Sequence, residues 1–477
     1  MQSTIEFIYN IIWSDALIYL CLLTGIYFTI RFKFPQITHF REMIKLLFSG
    51  NKSENGISSF QAFALSVSGR VGTGNIAGVA TAIAMGGPGA VFWMWVIALL
   101  GSASAIVEAT LGQMYKEEKD GQYRGGPAFY IQKGLKSKPF AWVFAIVTIV
   151  STGFLLPSVQ SNSIATSVEE AFNISPYIVG IALVILLAII ILGGVRRIGK
   201  VAELVVPVMA GLYILMAIII IGINIQQVPA VFSLIVKSAL NLESSFGAVV
   251  GTAIAWGVKR GIYSNEAGQG TAPHAAAAAE VSHPIKQGLV QGFSVYVDTL
   301  FVCTATALMI LFTGQYNVVH PDGGFLVNNI EGVEMGAAYT QLAIATHFPS
   351  IGSAFVAISL TLFAFTTIMA YYYIAETNVS FIQNKKTAKI LLYSLRILIL
   401  TSVFIGCVTT AKSVWELGDI GVGLMAWLNL IAILLLHKKV LLLYKDYATQ
   451  TKNKQDPTYD NSIHNIPNME FWDKYNK

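Results

Sequence analysis

The chain has 477 residues, of which 55% are hydrophobic and 12% charged, and a formal net charge of +5. Water-soluble domains carry roughly a quarter charged residues, so this composition excludes a set of soluble domains and makes a bilayer the main solvent. The basic excess lies in loops between apolar runs, where membrane topology accounts for it, and it implies no nucleic-acid partner.

The first apolar run, 12–30, follows Glu6 instead of a basic segment and closes without a small-x-small cleavage site, so it is expected to stay as a helix. Runs at 58–85, 89–115, 140–163 and 177–194 follow, then 201–223, 246–269, 287–312, 352–382, 390–410 and 414–436. Each reaches the length of about 18 residues that separates a span from a buried core helix, which gives about eleven spans in one membrane domain, 1–445. The three cysteines, Cys21, Cys303 and Cys407, lie inside apolar runs without paired spacing and read as packing residues. Lys and Arg gather in alternate loops: Arg31, Lys33, Arg41, Lys45 and Lys52, then Lys116, Lys119, Arg124, Lys133, Lys136 and Lys138. Arg196, Arg197, Lys200, Lys286, Lys385, Lys386, Lys389, Lys438, Lys439 and Lys445 continue the pattern. Cytoplasmic loops retain positive charge, so the N-terminus is expected outside and the C-terminus in the cytoplasm of a plasma-membrane protein. The polar segment 446–477 is expected to be a flexible cytoplasmic tail. The loop 313–350 is expected either as a short interfacial helix or lid, or as an inert surface loop.

Two glycine-dense stretches lie inside apolar runs, where unpaired backbone groups cost several kcal/mol unless protein, water or ligand meets them. One is Ser68-Gly69-Arg70-Val71-Gly72-Thr73-Gly74-Asn75-Ile76-Ala77-Gly78; the other is Trp256-Gly257-Val258-Lys259-Arg260-Gly261. Paired interruptions five spans apart point to the binding site of an inverted-repeat transporter; the alternative is glycines that let helices approach closely. A broken helix offers amide hydrogens to a carboxylate and carbonyl oxygens to a cation, which suits a zwitterionic amino acid beside a sodium ion. Asp298, midway along its run, is suited to bind a cation, relay a proton or pair with Arg70. Glu108 is expected to brace the backbone of a broken helix. Lys259, Arg260 and Glu266 surround the second stretch, as gate partners or as residues lining water. Gln160, in the polar cluster after Pro157, faces a cavity or bonds between helices. Thr366 and Thr367 offer hydroxyls to a hard cation or back-bond within their helix.

The run Gly86-Gly87-Pro88-Gly89-Ala90-Val91-Phe92-Trp93-Met94-Trp95-Val96-Ile97-Ala98-Leu99-Leu100-Gly101 resembles the signature of the sodium:alanine symporter family, the alanine or glycine:cation symporters. Gly72 to Gly78 and Ser264-Asn265-Glu266-Ala267-Gly268-Gln269-Gly270-Thr271-Ala272-Pro273 resemble it too, and the similarity covers nearly the whole transmembrane region. The resemblance implies an all-α membrane protein of leucine-transporter type: two inverted five-helix repeats, 58–224 and 244–437, each opening on a broken helix, behind an extra N-terminal helix at 12–31. It implies that amides of Gly72, Thr73 and Gly74 meet the amino-acid carboxylate, and that Asn75 ligates a sodium beside it, with Asp298 near the same ion. Carbonyls near Ser68 and Val71 with hydroxyls of Thr366 and Thr367 would hold another cation. Trp256 and Gln160 resemble a wall that limits side-chain size. Arg70 departs from the wider pattern, where that place is small and neutral.

The function expected is symport of alanine or glycine with sodium, a proton or another monovalent cation being the alternative. An intramembrane enzyme would need a nucleophile and base or a His-Glu-x-x-His helix, which the runs lack. A cation channel would need a filter-like ring motif, also lacking.

Overall fold

The computed structural model describes residues 2–49, 56–119, 121–192, 194–242, 246, 249–384 and 386–475. Lys52, Lys385 and the expected repeat boundary at 244 lie outside the described residues. With no water in the hydrocarbon to meet main-chain groups, apolar runs must satisfy them within their own helix. Among the described residues, eight helices are long and apolar enough to cross a membrane: Thr4–Arg31, Gly89–Met114, Lys138–Phe172, Arg197–Ile223, Pro284–Thr313, Gly352–Ile382, Ala388–Val408 and Ala411–Lys452. The helix Pro176–Ile191 and two interrupted helices are shorter. Polarity is inverted relative to a soluble protein. Leu186, Leu204, Leu215, Ile397 and Leu435 face outward, while Arg70, Glu108, Asp298 and Arg260 are buried.

The first interrupted helix runs as Ser59–Arg70, then a π turn at Gly74–Gly78 and Val79–Gly86. Ser58 starts it with a capping box, its hydroxyl accepting from Gln61 N while the Gln61 side chain accepts from Ser58 N, which fixes two amides otherwise left free. The second runs as Val250–Asn265 and Ala272–Ala278. The two are tied at one end, where Ile57 N donates to Ala278 O (3.0 Å) and Glu280 N to Ile57 O (3.0 Å). That end also carries Lys116, Lys133 and Lys286, and is called the basic end below; the opposite end carries the loop 314–351, which holds the helix Ala337–His347.

The break expected at 256–261 is corrected. The helix Val250–Asn265 is continuous there, because Gly257 and Gly261 are places of close helix approach: a Cβ on Gly257 would stand 2.6 Å from Ala90 O, and one on Gly261 2.4 Å from Ile97 Cγ2. Small residues let two backbones touch, and no interruption is needed. The real interruption lies at 266–271.

The flexible tail is also corrected. The last spanning helix continues to Lys452, and Tyr459, Met469 and Trp472 are buried against the basic end. Trp472 Nε1 donates to Gln113 O (2.8 Å), Tyr459 N to Ser282 O (2.8 Å) and Lys286 Nζ to Asp456 (2.6 Å), while Lys116 Nζ lies 4.2 Å from the Phe471 ring centre. A polar average over 446–477 conceals a few large apolar anchors spaced along it. Truncating a buried Trp costs about 3–5 kcal/mol; Trp472→Ala is therefore expected to release the segment, and hydrogen exchange of amides 459–473 should accelerate by roughly two orders of magnitude.

Candidate functional site

At the first break Val71 leaves the helix with ψ 93°, so carbonyls of the preceding turn and amides of the following residues lose their helical partners. Side chains supply replacements. The Thr367 hydroxyl donates toward Ser68 O (2.8 Å) and Val71 O (3.3 Å). Gly72 N donates to Asn75 Oδ1 (2.8 Å) and Thr73 N to Gln160 Oε1 (3.0 Å). Ser68, Val71, Gly72, Thr73, Asn75, Gln160 and Thr367 thus meet in one buried patch, with carbonyls on one side and amides on the other. Gly74 lies where the two interrupted helices touch, its added Cβ 3.0 Å from Ser264 Cα. Thr366 is not brought in: its hydroxyl donates to Phe363 O (2.9 Å) and faces Met209, because neighbouring helical positions point in different directions.

A Cβ on Gly72 would fall 2.5 Å from Thr367 Oγ1 and 2.8 Å from Gln160 Oε1. Gly72→Ala should push both side chains away and open this patch, read as faster hydrogen exchange of the amides at 72 and 73 while the protein still elutes as a folded species from a sizing column.

Asp298 sits in a π-helical stretch, Tyr296–Cys303, and is fully buried. It accepts from Asn75 Nδ2 (2.6 Å), Ser264 Oγ (3.0 Å), Thr299 Oγ1 (2.7 Å) and Cys303 Sγ (4.0 Å). A carboxylate has about four lone-pair directions, so these donors fill them. Asn75 Oδ1 is likewise engaged by Gly72 N, so both side chains named for the ion hold partners within the protein. Asp298 thereby anchors Asn75, whose oxygen holds the Gly72 amide at the first break. Arg70 does not pair with a carboxylate within ion-pair distance among the described residues; it donates to Gln291 O (3.0 Å) and to Ser294 Oγ.

The second break is built around Glu108. Its carboxylate accepts from Gly268 N (3.3 Å), Gly270 N (3.1 Å) and Asn429 Nδ2 (2.7 Å). Glu266 (φ 54°), Gly268 (φ 87°) and Gly270 (φ 84°) take left-handed conformations there, turning amides toward one acceptor as an L side chain rarely permits. Asn429 is itself fixed by Tyr130, whose hydroxyl donates to its Oδ1.

Trp256 lies elsewhere. It is two turns before Ser264, about 12 Å along the axis at 1.5 Å per residue, and its ring centre is 4.6 Å from Lys259 Nζ and 5.2 Å from Arg260 Cζ. It belongs to a cluster at the loop end, where Arg260 donates to both Asp419 oxygens (3.1 and 2.6 Å) and Lys259 to Tyr9 Oη (2.6 Å). Beside that cluster a cavity of about 350 Å³ is lined by Ala77, Asn162, Thr166, Glu170, Glu334 and Trp415, reaching the helix two residues past Asn75.

Sequence reasoning missed Ser264, Thr299, Cys303 and Asn429. Cys303 read as packing, yet its sulfur is 3.3 Å from Asn75 Nδ2 and 3.2 Å from Ser264 Oγ. Its spacing of five residues from Asp298 matches a π turn, a signal that helical periodicity does not display.

The profile of the sodium:alanine symporter family matches residues 1–461. The chain belongs to this family. A Bacillus subtilis (strain 168) relative whose name proposes a sodium/proton-dependent alanine carrier is 58% identical over 464 residues, 97% of this chain and 96% of the relative. The sodium/proton-dependent alanine carrier protein of Bacillus sp. (strain PS3) is 51% identical over 90% of this symporter and 97% of its own length. Another Bacillus subtilis relative, whose name proposes a sodium/glutamine symporter, is 45% identical over 99% of this chain and 97% of the relative. Among solved structures, a manganese transporter of Eremococcus coleocola has a TM-score of 0.51 at 12% identity, covering 89% of each chain. That likeness concerns the fold: this symporter family member has the helical architecture of a membrane transporter.

Proposed function

We propose that the protein imports a small neutral amino acid, alanine or glycine, across the plasma membrane together with sodium. The observation that carries this reading is the first break, where the Ser68 and Val71 carbonyls with the Thr367 hydroxyl stand within a few residues of the Gly72 and Thr73 amides. Sodium takes the carbonyls and turns the Thr367 hydroxyl lone pair toward itself. The substrate carboxylate takes the Gly72, Thr73 and Gly74 amides, replacing the Asn75 and Gln160 oxygens, and Gln160 then bounds the substrate. Asp298 acts on the ion through its negative charge, and the Asn75 oxygen that the substrate carboxylate displaces from Gly72 N turns toward the sodium. No full side-chain charge is left unpaired by a zwitterion seated between opposite helix ends.

The two interrupted helices enter the bundle from opposite ends, which supports inverted halves at 58–224 and 244–437 behind an extra helix at 12–31. The Lys and Arg loops support a cytoplasmic basic end, an outer N-terminus and a 350 Å³ cavity open toward the outside. Sodium increases amino-acid affinity by favouring the binding-competent arrangement, and rocking of one bundle against the other moves access inward. Names of relatives that include both sodium and protons favour one alternative, coupling to protons or another monovalent cation.

Uptake of radiolabelled alanine into proteoliposomes tests the reading. An inward sodium gradient should drive accumulation that potassium does not reproduce. Uptake indifferent to sodium overturns the cation assignment, and a proton gradient alone that drives it equally favours the alternative.

A further inference from the structure

The spanning helix Thr4–Arg31 stops at the basic end in a sharp elbow, where Lys33 (φ 58°) and Phe34 (φ 57°) both take the left-handed conformation that residues with side chains avoid. Hydrogen bonds fix the elbow. Phe34 N donates to Thr29 O (2.7 Å), Gln36 Nε2 to Thr29 Oγ1 (2.8 Å) and Tyr296 Oη to Gln36 O (2.9 Å). The short helices Pro35–Thr38 and Phe40–Leu47 follow. In the second of these, Met43, Leu46 and Leu47 are buried against the protein, while Phe40, Arg41, Ile44 and Lys45, with Phe48 just beyond, are exposed along the other face.

Charge and position together identify what covers that face. Residues 31–48 include four exposed cations, Arg31, Lys33, Arg41 and Lys45, and one acid, Glu42. Glu42 is turned away, its carboxylate accepting from His39 Nδ1 (2.8 Å) and from Tyr447 Oη on the last spanning helix. None of the four cations lies within ion-pair distance of a carboxylate among the described residues. Between them, Phe34, Ile37, Ile44 and Phe48 continue the outward apolar surface of the span, where Leu23, Ile26 and Ile30 are exposed. Cations interleaved with aromatic and aliphatic side chains, laid across the end of a span, fit the headgroup layer of a bilayer. Unpaired cations favour phosphates that no choline or ethanolamine offsets.

The inner side of the elbow reaches the candidate site. The Phe40 ring centre is 5.9 Å from that of Phe293 and 6.0 Å from that of Tyr296, two residues before Asp298. Phe48 stacks on Phe60 (5.8 Å) and Phe63 on Phe293 (6.0 Å), and both Phe60 and Phe63 belong to the first interrupted helix.

We propose that the elbow 31–48 binds anionic phospholipid headgroups of the leaflet at the basic end, and that the seated lipid speeds alanine transport by steadying the first interrupted helix and the helix of Asp298. The binding stands on this surface alone; its effect on transport rests on the proposed alanine–sodium symport.

The test places the full chain in phosphatidylcholine liposomes with a trace of photoactivatable phosphatidylglycerol or photoactivatable phosphatidylcholine, and maps the crosslinks by mass spectrometry. In the wild type, phosphatidylglycerol should label 31–48 at least about tenfold more than phosphatidylcholine. Arg41→Gln combined with Lys45→Gln should lower that preference at least about fivefold, the factor that a single cation supplies near an anionic surface. Equal labelling by the two lipids in the wild type overturns the proposal whatever the variant's folding. Labelling abolished by millimolar inorganic phosphate also overturns it, because the ligand would then be a free anion. Initial alanine uptake under a sodium gradient should rise about threefold when phosphatidylglycerol is mixed into the liposomes, and stay level in the variant. Wild-type uptake indifferent to phosphatidylglycerol overturns the effect on transport. Uptake indifferent to sodium in every liposome would instead remove the parent reading, with the labelling still deciding the lipid site.

Discussion

Asp298→Asn is expected to lower alanine affinity by at least about 100-fold and to raise the sodium concentration needed for half-maximal binding. The carboxylate gathers four donors, three of them at 2.6–3.0 Å. An amide of the same size presents N–H groups to some of those donors, so contacts become repulsive and the negative charge disappears. Hydrogen bonds to buried charged groups are worth about 1.5–3 kcal/mol each, and 1.4 kcal/mol is a factor of ten. Asn75 would be released from its anchor, and with it the oxygen that holds Gly72 N. Equilibrium binding of labelled alanine over a sodium titration measures both quantities. Affinity within about threefold of the wild type would refute the anchoring role.

The second large effect falls on stability. Glu108→Ala leaves the Gly268 and Gly270 amides and the Asn429 side-chain amide facing an emptied space, and each buried unsatisfied group costs about 1–3 kcal/mol. The melting temperature should fall by at least about 5 °C, read from the fraction remaining on a sizing column after heating. Glu108→Gln keeps one acceptor and turns a donor toward another donor, so it should fall between. Both variants melting within about 1 °C of the wild type would show that the second break holds itself without Glu108.

The first break was legible because glycines, a threonine and an asparagine crowd one apolar run, and few packing arrangements require that mixture. Thr367 and Gln160 could be named as candidates, but their reach to Ser68 O and Thr73 N depends on helices packed from distant parts of the chain. The same reading failed at 256–261. Glycine there serves close contact with the helix Gly89–Met114, and sequence does not distinguish a glycine that admits a neighbour from one that ends a helix. The tail was misread because average polarity hides a few well-spaced aromatic anchors.

Composition and span length alone established a helical membrane protein, since a bilayer permits main-chain groups few other solutions, and the glycine-rich run at 68–78 marked where one helix opens. Tertiary structure alone decided where the second opens and that Asp298 anchors Asn75. The physical reason is distance in sequence: Glu108 meets Gly268, and Asn75 meets Asp298, only after packing brings separate helices together, and one-dimensional periodicity carries no information about which buried polar groups will face each other.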